Sequence, residues 1–345
     1  MTAGTTQRLR IGYFGDGPWA NRALARIVDD GRFEVAFITP RHSDPDAGLR
    51  SWANRLGVPF LTAADVNNSG FIAEIARFSC DVLVSMSFDQ ILRRAILQVP
   101  GRGFINCHAG ALPFYRGRNP LNWALVNGET RFGVTVHYID ESIDTGDVIV
   151  QNFSPIAPTD TYADLLARAH GLCADALLEA LIKIHDGTAA AVPQHRLDSS
   201  SSYYSRRRPG DEWINWAWPS QRIHNLVRAI TLPGPCARSL HADHVVAIVE
   251  TEPVDWAEPH LGSDGEIVGR DDRGVLVKTG DTLLRITQIA AVRADDTLDV
   301  VATPRFPLGT RLGLNILDEV IALRRRMRAC ERQLNDAAPA KDVKR

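Results

Sequence analysis

Apolar and polar positions follow two rhythms through the first half of the chain. Short, almost uniformly apolar runs at residues 9–15, 33–39, 81–85 and 103–107 read as buried strands. Between them, residues 21–29, 51–56, 71–78 and 90–97 carry apolar side chains at helical spacing, and residues 59–61 form a short strand-like run. Strands alternating with helices predict a parallel sheet of the doubly wound α/β type. Ligands of such sheets sit beyond the carboxyl ends of the strands. Residues 85–88 and 106–108 both lie at such ends, which places them in one crevice.

The pattern then changes. Residues 120–126 read as a helix, and residues 133–139 and 147–152 as two strands joined by an acidic turn that holds Asp144. A long helix is predicted over 162–185, apolar at Leu165, Leu166, Ala169, Leu172, Ala176, Leu177 and Ile182. The serine run at 198–202 reads as a linker. Beyond it come a helix capped by Ser220, with Ile223, Leu226, Val227 and Ile230 on one face, and short runs at 244–249, 266–268, 275–277 and 283–289. Short strands split by Gly/Asp turns suggest a small β-barrel of OB type. The expected organisation is therefore a Rossmann-like α/β domain at 1–197, an OB-like domain at 203–312 and a helical tail at 313–345. In that tail Ile316, Val320, Leu323, Met327, Cys330 and Leu334 fall at alternating four- and three-residue intervals, the spacing of a coiled-coil seam, with Arg324, Arg325, Arg326, Arg328 and Arg332 off that face. A terminal helix packed on its own domain is the first reading of this tail. Pairing with a second subunit is the alternative, and nucleic-acid contact a minor one.

Composition narrows the class. The 345 residues are 45% hydrophobic and 23% charged, as in a globular protein of about two domains. A net charge of −2 gives no overall pull toward nucleic acid or an anionic membrane. Five scattered cysteines without a CxxC pair argue against a disulfide framework or a zinc site and suit a reducing compartment. The first ten residues are polar, and no apolar run approaches the roughly 18 residues of a membrane span. The expected location is cytoplasmic.

Two motifs bear on chemistry. Gly15 and Gly17 match the first half of a dinucleotide fingerprint, but Ala20 stands where its third glycine would be and no acidic residue ends the strand at 33–39. A tight strand-to-helix turn is the preferred reading. The stretch from Phe104 to Pro120 offers more. Asn106 and His108 are two residues apart, so on a strand both point to one side. Gly110, Pro113, Gly117 and Pro120 then mark a long ordered loop. An amide, an imidazole and a later carboxylate are the parts needed to stabilise an oxyanion and move a proton in acyl transfer to an amine. From residue types alone, Asn106 and Asp144 are equally readable as turn formers and His108 as an incidental loop residue.

Asn-x-His, Leu-Pro-x-Tyr-Arg-Gly and Asp-Thr-Gly-Asp, as they stand at 106–108, 112–117 and 144–147, resemble the signature of the 10-formyltetrahydrofolate-dependent formyltransferases. Residues 115–130, the run Gly133-Val-Thr-Val-His137, and in the second domain 207–211 and 224–229 are similar to the sugar-nucleotide branch. The likeness there is to the formyltransferase half of the bifunctional polymyxin-resistance protein. It covers residues 9 to 310.

The resemblance implies a Rossmann-like, folate-binding formyltransferase domain, an OB-like domain, 10-formyltetrahydrofolate as co-substrate and no metal. It implies Asn106, His108 and Asp144 as the catalytic triad, with Asn106 and His108 on the oxyanion. Folate contacts are implied at Gln90, Ile91, Leu92, Asp140, Glu141, Ser142 and Ile143. Tyr115, Arg116, Arg118, Arg207 and Arg208 are candidates for the nucleotide-sugar substrate, since guanidinium forks match phosphate oxygens. The expected acceptor is the primary amine of an amino-deoxy sugar on UDP, dTDP or GDP. Methionyl-tRNA and a small amine such as hydroxyornithine are the alternatives. A homodimer through the C-terminal helix or domain is a further expectation. One departure stands beside His108: the family's Ser-Leu-Leu-Pro is Gly110-Ala111-Leu112-Pro113 here. The chain also ends after the Arg-rich helix, so the decarboxylase activity of the polymyxin-resistance protein's other half is not expected.

Overall fold

Residues 8–256, 262–313 and 316–337 are described by the computed structural model of the chain. They form two compact units: one runs to Asp211 and takes in Arg228–Gly234, and the other comprises Glu212–Val227 and the chain from Pro235 onward.

The first unit begins as its apolar runs predict, with β1 (Leu9–Gly15), α1 (Gly17–Asp29), β2 (Phe33–Pro40), α2 (Ala47–Leu56), α3 (Ser69–Ala76), β3 (Val82–Met86), α4 (Arg94–Leu97) and β4 (Phe104–His108). After the two-residue β5 (Arg116–Gly117) come α5 (Pro120–Val126), β6 (Arg131–Tyr138), β7 (Val148–Pro155), α6 (Tyr162–His185), α7 (Gln194–Leu197) and β8 (Tyr203–Tyr204). The main sheet has the order β2-β1-β3-β4-β6-β7. Its first four strands are parallel, whereas β6 and β7 run antiparallel to their neighbours. The sheet is therefore mixed: the alternating strands and helices of the first half give its parallel part, and β6 and β7 form the hairpin expected of two strands joined by the acidic turn, which needs no crossover helix.

Phe14 anchors one face of the sheet. Its ring meets Phe37, Phe71 and Phe88 edge-on at centroid distances of 5.7, 6.3 and 5.5 Å, and Phe104 at 5.1 Å. Truncating so central a ring costs about 3–5 kcal/mol, so the strands carrying the candidate site residues rest on a stiff layer. The turn from β1 into α1 is fixed by the fully buried Tyr13, whose hydroxyl donates to the Ala20 carbonyl at 2.8 Å. Burial pushes that phenol's pKa well up, which keeps it a donor.

Two expectations meet a different local structure. The helix expected at 90–97 shrinks to Arg94–Leu97. Residues 90–93 are held as a loop by two side-chain amides: Asn67 takes up their backbone, bridging the Ile91 carbonyl and the Arg93 N–H, and Gln90 ties the segment to the Ala63 carbonyl and the Val66 N–H. The serine run leads into β8, which pairs in parallel with β5, Arg116 opposite Tyr203 and Gly117 opposite Tyr204. That pairing carries the first compact unit through to Asp211.

In the second unit, β9 (Ala237–His241), β10 (His244–Pro253), β11 (Ile267–Asp271), β12 (Gly274–Lys278) and β13 (Leu283–Ala291) form an antiparallel sheet of order β11-β12-β13-β10-β9. Leu312 bridges to His241 at the end of β9 and Arg311 bridges to Glu266 just before β11, so a single short segment joins both edges. The helix α8 (Ser220–Ile230), whose last residues from Arg228 on belong to the first unit, buries Ile223, Leu226, Val227 and Ile230, the face its spacing predicts. The last element is α9 (Ile316–Ala337). None of its described side chains is buried, so the reading of a tail helix packed on its own domain finds no support there. The seam positions Ile316 and Leu334 lie outside the described side chains.

Candidate active site

β4 delivers Asn106 and His108 at its carboxyl end, on the same side of the strand, with the intervening Cys107 buried on the other. β6 lies antiparallel to β4 with His137 directly opposite Asn106 and Thr135 opposite His108. The turn after β6 brings Asp144 back over this pair in a left-handed conformation, φ 54°.

Asp144 is the centre of the charge distribution. Its Oδ2 accepts from the Gly117 N–H at 2.9 Å and lies 3.6 Å from His108 Nδ1, and its Oδ1 lies 3.6 Å from His137 Nε2. Burial by itself raises the pKa of this carboxyl, but His108 and the Gly117 N–H are among the groups that outweigh it and hold it well below the usual carboxylate range. It is an anion at any physiological pH. Its loop is clamped from behind by the buried Gln194, whose amide donates to the carbonyls of Asp144 at 2.8 Å and Gly146 at 2.9 Å. Arg116 in turn donates to Gln194 Oε1 at 2.8 and 3.2 Å.

The two histidines differ in what holds them. His108 Nε2 is 2.7 Å from the Tyr115 carbonyl, an acceptor only, so Nε2 carries a hydrogen and Nδ1 is left facing Asp144. This contact depends on Gly110. A Cβ there would come 2.5 Å from His108 Nε2 and 2.7 Å from the Tyr115 carbonyl oxygen, so any side chain displaces the ring. His137 is nearly fully buried, and its Nδ1 is 2.7 Å from the Tyr138 carbonyl, so that nitrogen carries a hydrogen. Its Nε2 then accepts from Asn106 Nδ2 at 3.3 Å. One N–H of the Asn106 amide is thereby occupied and the other is left for an incoming oxygen.

These groups line a crevice of about 460 Å³. The structure brings Gln90, Ile91, Leu92, Asp140, Glu141, Ser142 and Ile143 to its wall, together with Arg118 and the half-exposed Tyr203. Ile91 and Ile143 present exposed apolar side chains, while Asp140 is spent on the Ser142 N–H and the Thr145 hydroxyl. Other expected substrate residues lie elsewhere. Arg116 lines no wall of the crevice, because its guanidinium is engaged with Gln194. Tyr115 faces a second cavity of about 650 Å³, where its hydroxyl binds Glu129 and its ring stacks on Tyr204 at 5.1 Å. Arg207 and Arg208 do not line the crevice, and Arg208 engages Asp211 through its backbone N–H at 2.7 Å. His137, Gln194 and Tyr203 were not singled out from the sequence. Among the described residues there is no group of three or more His, Cys, Asp or Glu side chains able to hold a metal ion, and no helix long and apolar enough to cross a membrane.

An amide, two imidazoles and a desolvated carboxylate at the end of a parallel strand suit transfer of an acyl group. Comparison with known proteins decides the class. The formyl transferase family model matches residues 13–181, and the model of the formyl transferase C-terminal domain matches residues 207–298. The methionyl-tRNA formyltransferase of Syntrophus aciditrophicus (strain SB) is 33% identical over 315 residues, which span 89% of this chain and 99% of that protein. The chain belongs to the formyl transferase family.

A second relative of this formyl transferase, the methionyl-tRNA formyltransferase of Geobacillus thermodenitrificans (strain NG80-2), is 31% identical over 320 residues, 88% of this chain and 98% of that one. Among solved structures, the N-formyltransferase of Helicobacter canadensis, in complex with folinic acid and dTDP-3-aminofucose, superposes with a TM-score of 0.63 at 22% identity. It covers 80% of this chain and 98% of its own, a likeness of fold.

Proposed function

We propose that this formyl transferase moves the formyl group of 10-formyltetrahydrofolate to the primary amine of a nucleotide-linked amino-deoxy sugar. The observation that carries the reading is the meeting of Asn106, His108 and Asp144 in one crevice that also holds an exposed aromatic ring, Tyr203, and the exposed Arg118. The acceptor amine attacks the formyl carbon, a C–N bond forms and the carbonyl electron pair moves onto oxygen. The free N–H of Asn106 meets that oxyanion, an interaction worth about 2.7–4 kcal/mol at the transition state when one such donor is removed. The intermediate collapses as the bond from the formyl carbon to folate N10 breaks. His108, protonated at Nδ1 and supported by Asp144, supplies the proton that N10 takes up, and Asp144 draws off the proton the amine must lose. The 3.6 Å spacing between His108 and Asp144 leaves room for the pair to tighten when substrate binds.

The loops at 88–92 and 140–143 offer apolar side chains and backbone groups to a flat, donor-rich pterin. On the other wall, Tyr203 offers a stacking surface for a nucleotide base, worth about 1–3 kcal/mol by analogy with base–aromatic contacts elsewhere. Arg118, on the crevice wall, offers a cation for a pyrophosphate. Support for this acceptor class also comes from the Helicobacter canadensis enzyme, solved with an amino-sugar nucleotide.

A second reading, formylation of methionyl-tRNA, is favoured by the names of the two relatives that align over nearly their whole length. It calls for an extended basic face, against which the chain's net charge of −2 counts. The two part on a simple assay. Tetrahydrofolate release is followed with a panel of UDP-, dTDP- and GDP-linked amino sugars and, separately, with charged initiator tRNA. Turnover with at least one sugar nucleotide is expected; turnover with the tRNA alone overturns the proposal.

A further inference from the structure

The helix α9 carries apolar side chains that are exposed among the described residues: Val320 is 38%, Leu323 49% and Met327 61% exposed. Cys330 on the same line is exposed as well, while Cys80, Cys107, Cys173 and Cys236 are all buried. Seen along the helix, Val320, Met327 and Leu334 occupy the a positions of a heptad and Ile316, Leu323 and Cys330 the d positions. A β-branched residue at a followed by leucine at d, as at Val320 and Leu323, favours two strands. The flanking positions decide the orientation. In a parallel pair each g residue faces the e residue five places on in the other helix. Here Glu319 (g) meets Arg324 (e), and Arg326 (g) meets Glu331 (e), so both contacts pair opposite charges, and symmetry doubles each.

From this pattern we infer that α9 is the interface for a second copy of this chain, joined as a parallel two-stranded coiled coil with Cys330 opposite Cys330. The seam is only about three heptads long, near the lower limit for such a coil. Association is accordingly reversible and depends on protein concentration. The remaining arginines, Arg325, Arg328 and Arg332, fall at positions f, b and f and stay in solvent.

The test uses the full chain. Its mass in solution is measured across a concentration series, and its cross-linking is followed after mild oxidation with diamide, which takes two electrons and two protons from a thiol pair as one S–S bond forms. The expected result is a concentration-dependent dimer that becomes covalent on oxidation, with the covalent band lost in Cys330→Ser while the reversible dimer remains. Glu319→Arg should weaken association about fivefold to tenfold by setting like charges opposite each other. The double substitution Glu319→Arg with Arg324→Glu should restore it, which a general loss of helix would not allow. A monomer at every concentration overturns the proposal, and so does a dimer unchanged by truncation after Gly313. A tail-dependent dimer that Cys330 fails to cross-link overturns the parallel arrangement. Binding of RNA by a chain that stays monomeric would assign the helix to a different partner.

Discussion

Two cavities flank the segment from His108 to Tyr115, and they are built on different principles. In the crevice at the end of β4, Asp144 sits between two imidazoles with no cationic side chain of fixed charge in contact, and Asn106 keeps one N–H unused. In the neighbouring cavity the polar groups satisfy each other: Tyr115 with Glu129, Asn127 with the Tyr204 hydroxyl at 2.8 Å, and Gln151 with the Leu112 carbonyl at 2.7 Å. The first arrangement holds charge ready for a reacting molecule, and the second closes on itself and frames the first. Tyr115 joins them, but through its carbonyl oxygen on His108 rather than through its phenol.

This contrast is broken most severely at Asp144. Asp144→Asn should lower turnover by about a hundredfold to ten-thousandfold, the usual contribution of a positioned acid–base group; a rate near that of the wild type would remove the carboxylate from the mechanism. The same substitution has a signature in acid. A carboxyl whose pKa is depressed in the folded state stabilises the fold above its unfolded pKa, near 3.9, and loses that stabilisation as pH falls toward the folded pKa, because the unfolded chain takes up the proton first. Denaturant titrations below about pH 4 should therefore show a shallower loss of stability in Asp144→Asn than in the wild type. Parallel pH profiles would show that Asp144 does not carry this linkage.

His137 comes next. It reaches the reaction only by orienting the Asn106 amide, so His137→Phe should reduce kcat by about a hundredfold with little change in KM. A raised KM at unchanged kcat would place it in ground-state binding instead. Gln194→Leu removes the clamp on the Asp144 loop and leaves the Arg116 guanidinium and two carbonyls without a partner. About tenfold in activity and about 1–3 kcal/mol of stability should go together, read by steady-state rates and urea unfolding. Tyr115→Phe should do least, within a few fold, since His108 uses only the backbone of that residue. A loss as large as that from His137→Phe would mean that the second cavity takes part in the chemistry.

What could be read beforehand follows from range in sequence. Asn106 and His108 are two residues apart on one strand, and Asp144 stands in a turn flanked by glycine, so local pattern and family resemblance were enough to single them out. His137 was visible as part of Gly133-Val-Thr-Val-His137, but its role follows from the antiparallel register that puts it opposite Asn106. That register is a long-range fact. Gln194 and Tyr203 are further away still, and their places are set by packing of α7 and by the β5–β8 pairing. Arg116 shows the reverse case. A guanidinium next to a signature glycine reads as a phosphate ligand until Gln194 is seen to occupy it. The residues 90–93 lost their predicted helix for a similar reason, because the Asn67 amide takes the Ile91 carbonyl and the Arg93 N–H. The fate of Gly110, which stands where the family's signature has serine, is also clear only in three dimensions: its missing side chain is what lets His108 reach the Tyr115 carbonyl.

The central claim is that the Asp144 crevice carries formyl from folate to the amine of a nucleotide sugar. The most direct test supplies 10-formyltetrahydrofolate labelled at the formyl carbon together with an amino-sugar nucleotide, and follows the label by mass spectrometry in the wild type and in Asp144→Asn. Label on the sugar amine of the wild-type product, with almost none formed by the variant, is the predicted result. Label appearing only as free formate, only on methionyl-tRNA, or equally in both proteins would contradict it.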